Sequence, residues 1–208
     1  MTQLWQHFLN YREEVLWLTR EHVLMTLTAL GLAFIIAVPL GIVASRFKPL
    51  QQPILWLAGL GQTVPSLALL GLLMPFLGIG YPLAIAALTV RALLPILMNT
   101  CTGILDVDDA VVESARGMGM TRREILWMIE LPLAAPLIAA GVRTAAVQCI
   151  SIATLAAFVG AGGLGDLIFQ GIIEVSTPKL LLGIIPAGLL AIFAELLLGR
   201  IQWWITPR

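Results

Sequence analysis

Charge is scarce in this sequence. Asp, Glu, Lys and Arg make up 12% of its residues, about half the ~25% usual for soluble domains. So few charges cannot clothe a water-facing surface of ordinary size, and lipid is the natural solvent for the polar surface that is missing. Net charge is also lacking: 12 basic residues balance 12 acidic ones, which leaves no field to attract a nucleic acid. Cysteine occurs twice, as Cys101 and Cys149. The two fit neither a disulfide framework nor a metal-ligand spacing, and both lie in apolar surroundings that suit packing. Histidine also occurs only twice, as His7 and His22 near the N-terminus. No cluster of His, Asp and Glu, and no paired nucleophile and base, supports an intramembrane enzyme. No apolar stretch carries the chain of acids that a proton or sodium relay needs, which argues against an ion-coupled carrier acting alone.

What the chain has is hydrophobicity. Apolar residues make up 59% of its 208 positions, and mean hydropathy is +0.96. A transmembrane helix needs about 20 mostly apolar residues. Five stretches qualify, at about 22–45, 54–78, 81–104, 133–160 and 180–203. The fold expected is all-α and polytopic, one transmembrane domain over 1–208. The first stretch begins too late and runs too long for a signal peptide.

Lys and Arg orient the spans. Arg46, Lys48, Arg116, Arg122, Arg123, Arg200 and Arg208 fall on one side, which is therefore cytoplasmic. Arg12, Arg20 and Lys179 fall on the other side, offset by Glu13, Glu14, Glu21, Asp166 and Glu174. Five spans then place the N-terminus outside and the C-terminus inside, and "QWWITPR" adds an interface anchor.

The stretch "GAGGLG" at 160–165 reads as G-x-G-x-x-G. A dinucleotide site requires a strand before it, a helix after it and an acid about 20 residues on. Here an apolar helix precedes it, and Asp166, Glu174 and Glu195 come too early or too late. The glycines are read as a turn at the outer membrane surface, with Asp166 placed to cap a short helix, "LIFQGIIE".

The longest cytoplasmic segment, 106–132, is built like two short helices. Asp106, Asp108 and Asp109 suit the N-terminus of the first, and Val111, Ala115 and Met118 form one apolar stripe. Glu113 and Arg116 are spaced to pair, and "GMG" at 117–119 ends the helix. Thr121 and Glu124 then form a T-x-x-E capping box. The second helix runs through "ILWMIEL" and is expected to be interrupted at Pro132, where the fourth span takes over. A short amphipathic helix projecting from a membrane domain suggests a docking element.

These residues carry a family resemblance. Glu113, Ser114, Ala115, Gly119, Ile129, Leu131 and Pro132 match the cytoplasmic-loop pattern E-A-A-x3-G-x9-I-x-L-P at every spacing, with Ser114 for the second motif position. The chain thus resembles binding-protein-dependent ABC importer permeases. The resemblance implies a type I importer permease fold in which this loop, Gly117 included, is a coupling helix seated on a cytoplasmic ATPase dimer. It implies that the chain is not itself an enzyme and binds no cofactor, ATP and Mg belonging to the partner ATPase. It also implies a second permease subunit, identical or different, an extracytoplasmic substrate-binding protein, and a place in the bacterial cytoplasmic membrane. "GQTVPSLALLGLLMPFLGIG" (61–80), "LLPILMNTCTGI" (93–104), "GVRTA" (141–145) and "ATLAAFVGAGGLGDLIFQGI" (153–172) look most like the osmoprotectant branch, whose members import glycine betaine, carnitine, choline and related compounds. Permeases of methionine importers are similar in the glycine-rich stretch and in span number, and remain the alternative.

Within the second span, Gln62, Thr63, Pro65 and Ser66 are candidate pathway residues, because Pro65 removes a helical hydrogen bond and bends the chain. Such breaks are tolerated where protein or a water-filled cavity meets the freed groups. Arg91, Arg143 and Glu195 are intramembrane charges, which face the protein interior or a cavity. Glu195 is within reach of either arginine, and structural pairing is favoured over contact with substrate.

Overall fold

A computed structural model describes residues 2–206, with side chains from Tyr11 onward; His7 and Arg208 lie outside the described side chains. Among the described residues the architecture is helical throughout, without a strand. The order is α1 (Thr2–Arg46), α2 (Lys48–Thr63), α3 (Ser66–Leu77), α4 (Tyr81–Leu105), α5 (Asp109–Gly117), α6 (Arg122–Ile125), α7 (Leu131–Ala153), α8 (Gly165–Ile173) and α9 (Thr177–Ile205). A π-helical turn, Leu126–Glu130, joins α6 to α7, and a 3₁₀ segment, Thr154–Val159, follows α7.

Among the described residues, four helical stretches are long and apolar enough to cross a membrane: Tyr11–Arg46, Tyr81–Leu105, Arg122–Val159 and Thr177–Ile205. The stretch expected as the second span is different. It is two helices, α2 and α3, set at 103° to one another. Pro65 has no N–H and disfavours the helical conformation in the residue before it. Val64 (ψ 126°) and Pro65 (ψ 140°) are accordingly extended, and the chain turns a corner rather than kinking.

The core forms where α1, α4 and α7 meet. Met25, Ala29, Ala33 and Ala37 recur every fourth residue along α1 and are fully buried. Small side chains let membrane helices approach closely. A Cβ on Gly41 would lie 2.7 Å from Thr100 of α4, and one on Gly141 would lie 2.7 Å from the carbonyl of Pro95. α9 closes against α8 through Gly183 and Gly171, where an added Cβ would strike Ile168 and the backbone of Leu180.

Two expectations need correcting here. Pro132 does not interrupt the helix: the chain is helical without a break from Arg122 to Val159. The π-turn explains this. Leu131 N–H bonds back five residues to Leu126 O, and a widened turn just before a proline relieves the clash of its ring with the preceding carbonyls. Asp166 does not cap α8. The N-cap position is Leu164, without a side-chain bond, and Asp166 sits within the first turn.

The "GAGGLG" stretch does turn the chain: Gly160, Gly162 and Gly163 all take positive φ. It also docks on α1, because Gly163 N–H donates to Glu21 Oε2 at 3.2 Å. Beneath it His22 is fully buried, and its Nε2–H donates to Ile150 O at 3.0 Å. Asp166 lies close by. Burial pushes its carboxyl up from the usual range, and the charges of Glu21 and Glu14 push it the same way.

Candidate functional site

The loop between α4 and α7 is locally over-determined. Asp108 accepts a bond from Ala110 N–H at 2.8 Å and caps α5. Ser114 Oγ donates to Ala110 O, and Arg116 pairs with Glu113 at 2.6 Å along the exposed face. Ala115 is fully buried, whereas Val111 and Met118, its partners in the apolar stripe, are exposed.

The helix ends in a Schellman turn. Gly119 N–H bonds to Arg116 O at 2.9 Å and Met120 N–H to Ala115 O at 3.2 Å. These are the 5→2 and 6→1 bonds of that motif, whose C′ residue must be left-handed. Gly119 occupies C′ with φ +85°. Gly117 does not share this role: it is helical, and a Cβ there would meet nothing within 4 Å. The next helix starts at once with a capping box, in which Glu124 N–H donates to Thr121 Oγ1 and Thr121 N–H donates to Glu124 Oε2. Ile129, Leu131 and Pro132 follow within the continuous helix. Trp127 and Met128 are largely exposed on it.

At the corner between α2 and α3, three of the residues singled out in the sequence come together. Arg91 of α4 donates through Nη1 to Gln62 O at 2.8 Å and through Nη2 to Ser66 Oγ at 2.5 Å. One guanidinium thus holds both sides of the break. Gln62 Nε2–H returns a bond to Arg91 O at 2.5 Å and reaches Gln148 Oε1 of α7 at 3.4 Å. Arg91 Nε is buried without a partner. Ser66, Arg91 and the apolar side chains of α3, α4 and α7 line a cavity of about 10 Å³. That is room for about one water molecule and no larger solute. Thr63 stands apart, exposed and bonded to Leu60 O.

Glu195 meets Arg143, not Arg91. Its Oε1 lies 3.2 Å from Arg143 Nε, and Arg143 Nη1 donates to Gln202 Oε1 at 3.0 Å. Among the described residues no group of His, Cys, Asp and Glu is arranged to hold a metal ion.

Sequence reasoning missed Gln148 and the pair formed by Arg46 and Glu130. Arg46 ends α1, Glu130 ends the π-turn, and 84 residues separate them. Arg46 Nη1 donates to Glu130 Oε1 at 3.0 Å, and Nη2 closes on Oε2. The one available signal was an acid inside the apolar run "WMIELPL", a position that demands a partner.

Residues 37–208 match the family described as binding-protein-dependent transport system inner membrane component. The chain is 44% identical over 191 residues to the carnitine transport permease protein OpuCB of Listeria monocytogenes, covering 91% of this chain and 87% of that protein. It is 43% identical over 194 residues to the choline transport system permease protein OpuBB of Bacillus subtilis, covering 93% and 89%. Among solved structures, an inward-facing conformation of the MetNI methionine ABC transporter superposes with a TM-score of 0.85 at 24% identity, over 94% of this chain and 99% of that one.

Proposed function

The chain belongs to the binding-protein-dependent transport system inner membrane component family, and from that premise we propose that it is the membrane-spanning subunit of an ABC importer for quaternary ammonium osmoprotectants such as carnitine, choline and glycine betaine. Its fold is that of type I ABC importer permeases. The observation that carries the substrate class is the identity of 42–44%, over more than nine-tenths of the chain, with permeases named for those three solutes. The likeness to the methionine transporter is one of fold, at 23–24% identity.

The loop supports the coupling role. α5 is capped at both ends, and Val111 on it and Met118 at its C-cap are exposed, an apolar contact for a cytoplasmic ATPase. A helix unbroken from Arg122 to Val159 carries a push on that contact into the membrane. ATP hydrolysis belongs to the ATPase pair, and an extracytoplasmic binding protein delivers the solute. The basic side of the chain, with α5, faces the cytoplasm, and the N-terminus lies outside. The corner cavity of about 10 Å³ admits none of these solutes, and the pathway opens between this chain and a second permease subunit. The corner held by Arg91, Gln62 and Ser66 lies beside it.

The test is reconstitution of the complete complex in liposomes with its ATPase and binding protein. One or more of carnitine, choline and glycine betaine should stimulate hydrolysis and enter the vesicles, and methionine should do neither. Stimulation by methionine alone overturns the substrate class. Gln62→Ala and Ser66→Ala should change uptake while the complex still assembles, and unchanged uptake in both removes the corner from the pathway.

A further inference from the structure

Glu130 is 4% exposed, at the end of a π-turn, in a helix that is otherwise continuous from the loop into the membrane. Its two oxygens face the two terminal nitrogens of Arg46. Two-pronged arginine–carboxylate contacts fix direction as well as distance. Arg46 is the last residue of α1, the helix whose buried stripe forms one wall of the core. Beyond it the chain turns after Phe47 into α2, the first half of the broken pair. Glu130 lies near the end of the 106–132 segment, so the contact stands at the foot of the loop.

Glu130 is buried while the Arg46 side chain is 36% exposed, and an ion pair in such a setting is a poor source of net stability. Replacing both partners by packed apolar groups is often neutral or better, whereas losing one partner strands a charge. Its directional constraint is the more distinctive property. The π-turn adds to this. It inserts one residue between the loop helix and α7 and is an irregular turn next to the loop, where displacement of the loop would otherwise be absorbed as bending.

We propose that the Arg46–Glu130 pair is the joint that carries movement of the cytoplasmic loop sideways into α1 and α2, so that the loop drives the broken helix as well as α7. Arg46 and Glu130 are positioning residues: they act through α1 and α2 and touch no solute. This rests on the permease reading above. It adds a second line of transmission to the continuous helix.

The experiment compares wild type, Glu130→Gln, Arg46→Lys and the exchanged pair Arg46→Glu with Glu130→Arg, each in the reconstituted complex. Two quantities are read: ATP hydrolysed, and solute moved per ATP. Glu130→Gln should assemble and hydrolyse ATP within about twofold of wild type, while solute moved per ATP falls at least tenfold. The exchanged pair should recover at least half of the ratio. If Glu130→Gln does not assemble, Arg46→Lys carries the same test, since it keeps the charge and loses the two-pronged contact. A normal ratio in whichever variant carries the test, or hydrolysis and uptake falling together in proportion, overturns the joint. A wild-type complex in which hydrolysis never drives uptake overturns the permease reading, and the joint with it.

Discussion

Two glycines two residues apart in the same loop should respond to alanine in opposite ways. Gly119 has φ +85° and makes the 5→2 bond of the turn that ends α5. A side chain in the left-handed region costs roughly 1–2 kcal/mol, which is a factor of roughly 5–30 in a local opening equilibrium. Gly117 is helical, and a Cβ there meets nothing within 4 Å. Alanine at that position recovers about 0.5–1 kcal/mol of backbone entropy. The two substitutions should therefore differ by roughly 1.5–3 kcal/mol. Hydrogen exchange measured by mass spectrometry on the intact protein in nanodiscs reads this directly, through the amides of Gly119 and Met120. Gly119→Ala should speed their exchange roughly 5–30-fold, and Gly117→Ala should slow it. Equal exchange in the two variants, or faster exchange in Gly117→Ala, would refute the assignment of the turn to Gly119.

Two further outcomes follow from α8 and the residues around it. α8 ends in a second Schellman turn, with Val175 N–H to Ile172 O at 3.2 Å and Ser176 N–H to Gly171 O at 2.8 Å, but its C′ residue is Val175 at φ +52°, 88% exposed. Val175→Gly relieves that conformation at no packing cost. Relief of about 1–2 kcal/mol less a glycine entropy cost of about 0.5–1 kcal/mol leaves a gain of roughly 0.5–1 kcal/mol and a rise in thermal midpoint of roughly 1–4 °C, and an unchanged or lower midpoint counts against the strain. Asp166 has a carboxyl raised by burial and by Glu21 and Glu14, so its contribution is full below the ordinary pKa of 3.8 and is lost as pH rises through the higher folded value. Asp166→Asn escapes that loss, and its thermal midpoint should gain on wild type as pH climbs from 4 to 7; a gap constant across that range refutes the assignment.

The loop was largely legible because its chemistry is local. Thr121 and Glu124 are three residues apart and satisfy each other, and Glu113 reaches Arg116 within one turn. Even so, "GMG" did not say which glycine carries the left-handed turn, since that depends on where α5 stops. The corner at Val64–Pro65 was half legible. Proline announces a break, but 103° is set by what holds the two sides, and Arg91 lies 29 residues from Gln62. Pro132 misled, because a proline reads the same whether or not a π-turn makes room for it. Arg46 and Glu130 are 84 residues apart, and no periodicity connects them. A still longer separation hid the contact of His22, whose partner Ile150 is 128 residues away.

The corner between α2 and α3 has a mechanical consequence. An unbroken helix owes its rigidity to a ladder of backbone bonds, which no single substitution removes. At Val64 and Pro65 the ladder is interrupted, and what resists flexing is one guanidinium and one amide side chain, together with the packing of Leu69 and Leu70 into the core. The compliance of this element is thus written in side chains rather than in the main chain. Proteins of this build can be made stiffer or looser one residue at a time, at positions 62, 66, 91 and 148, without redesigning a membrane helix.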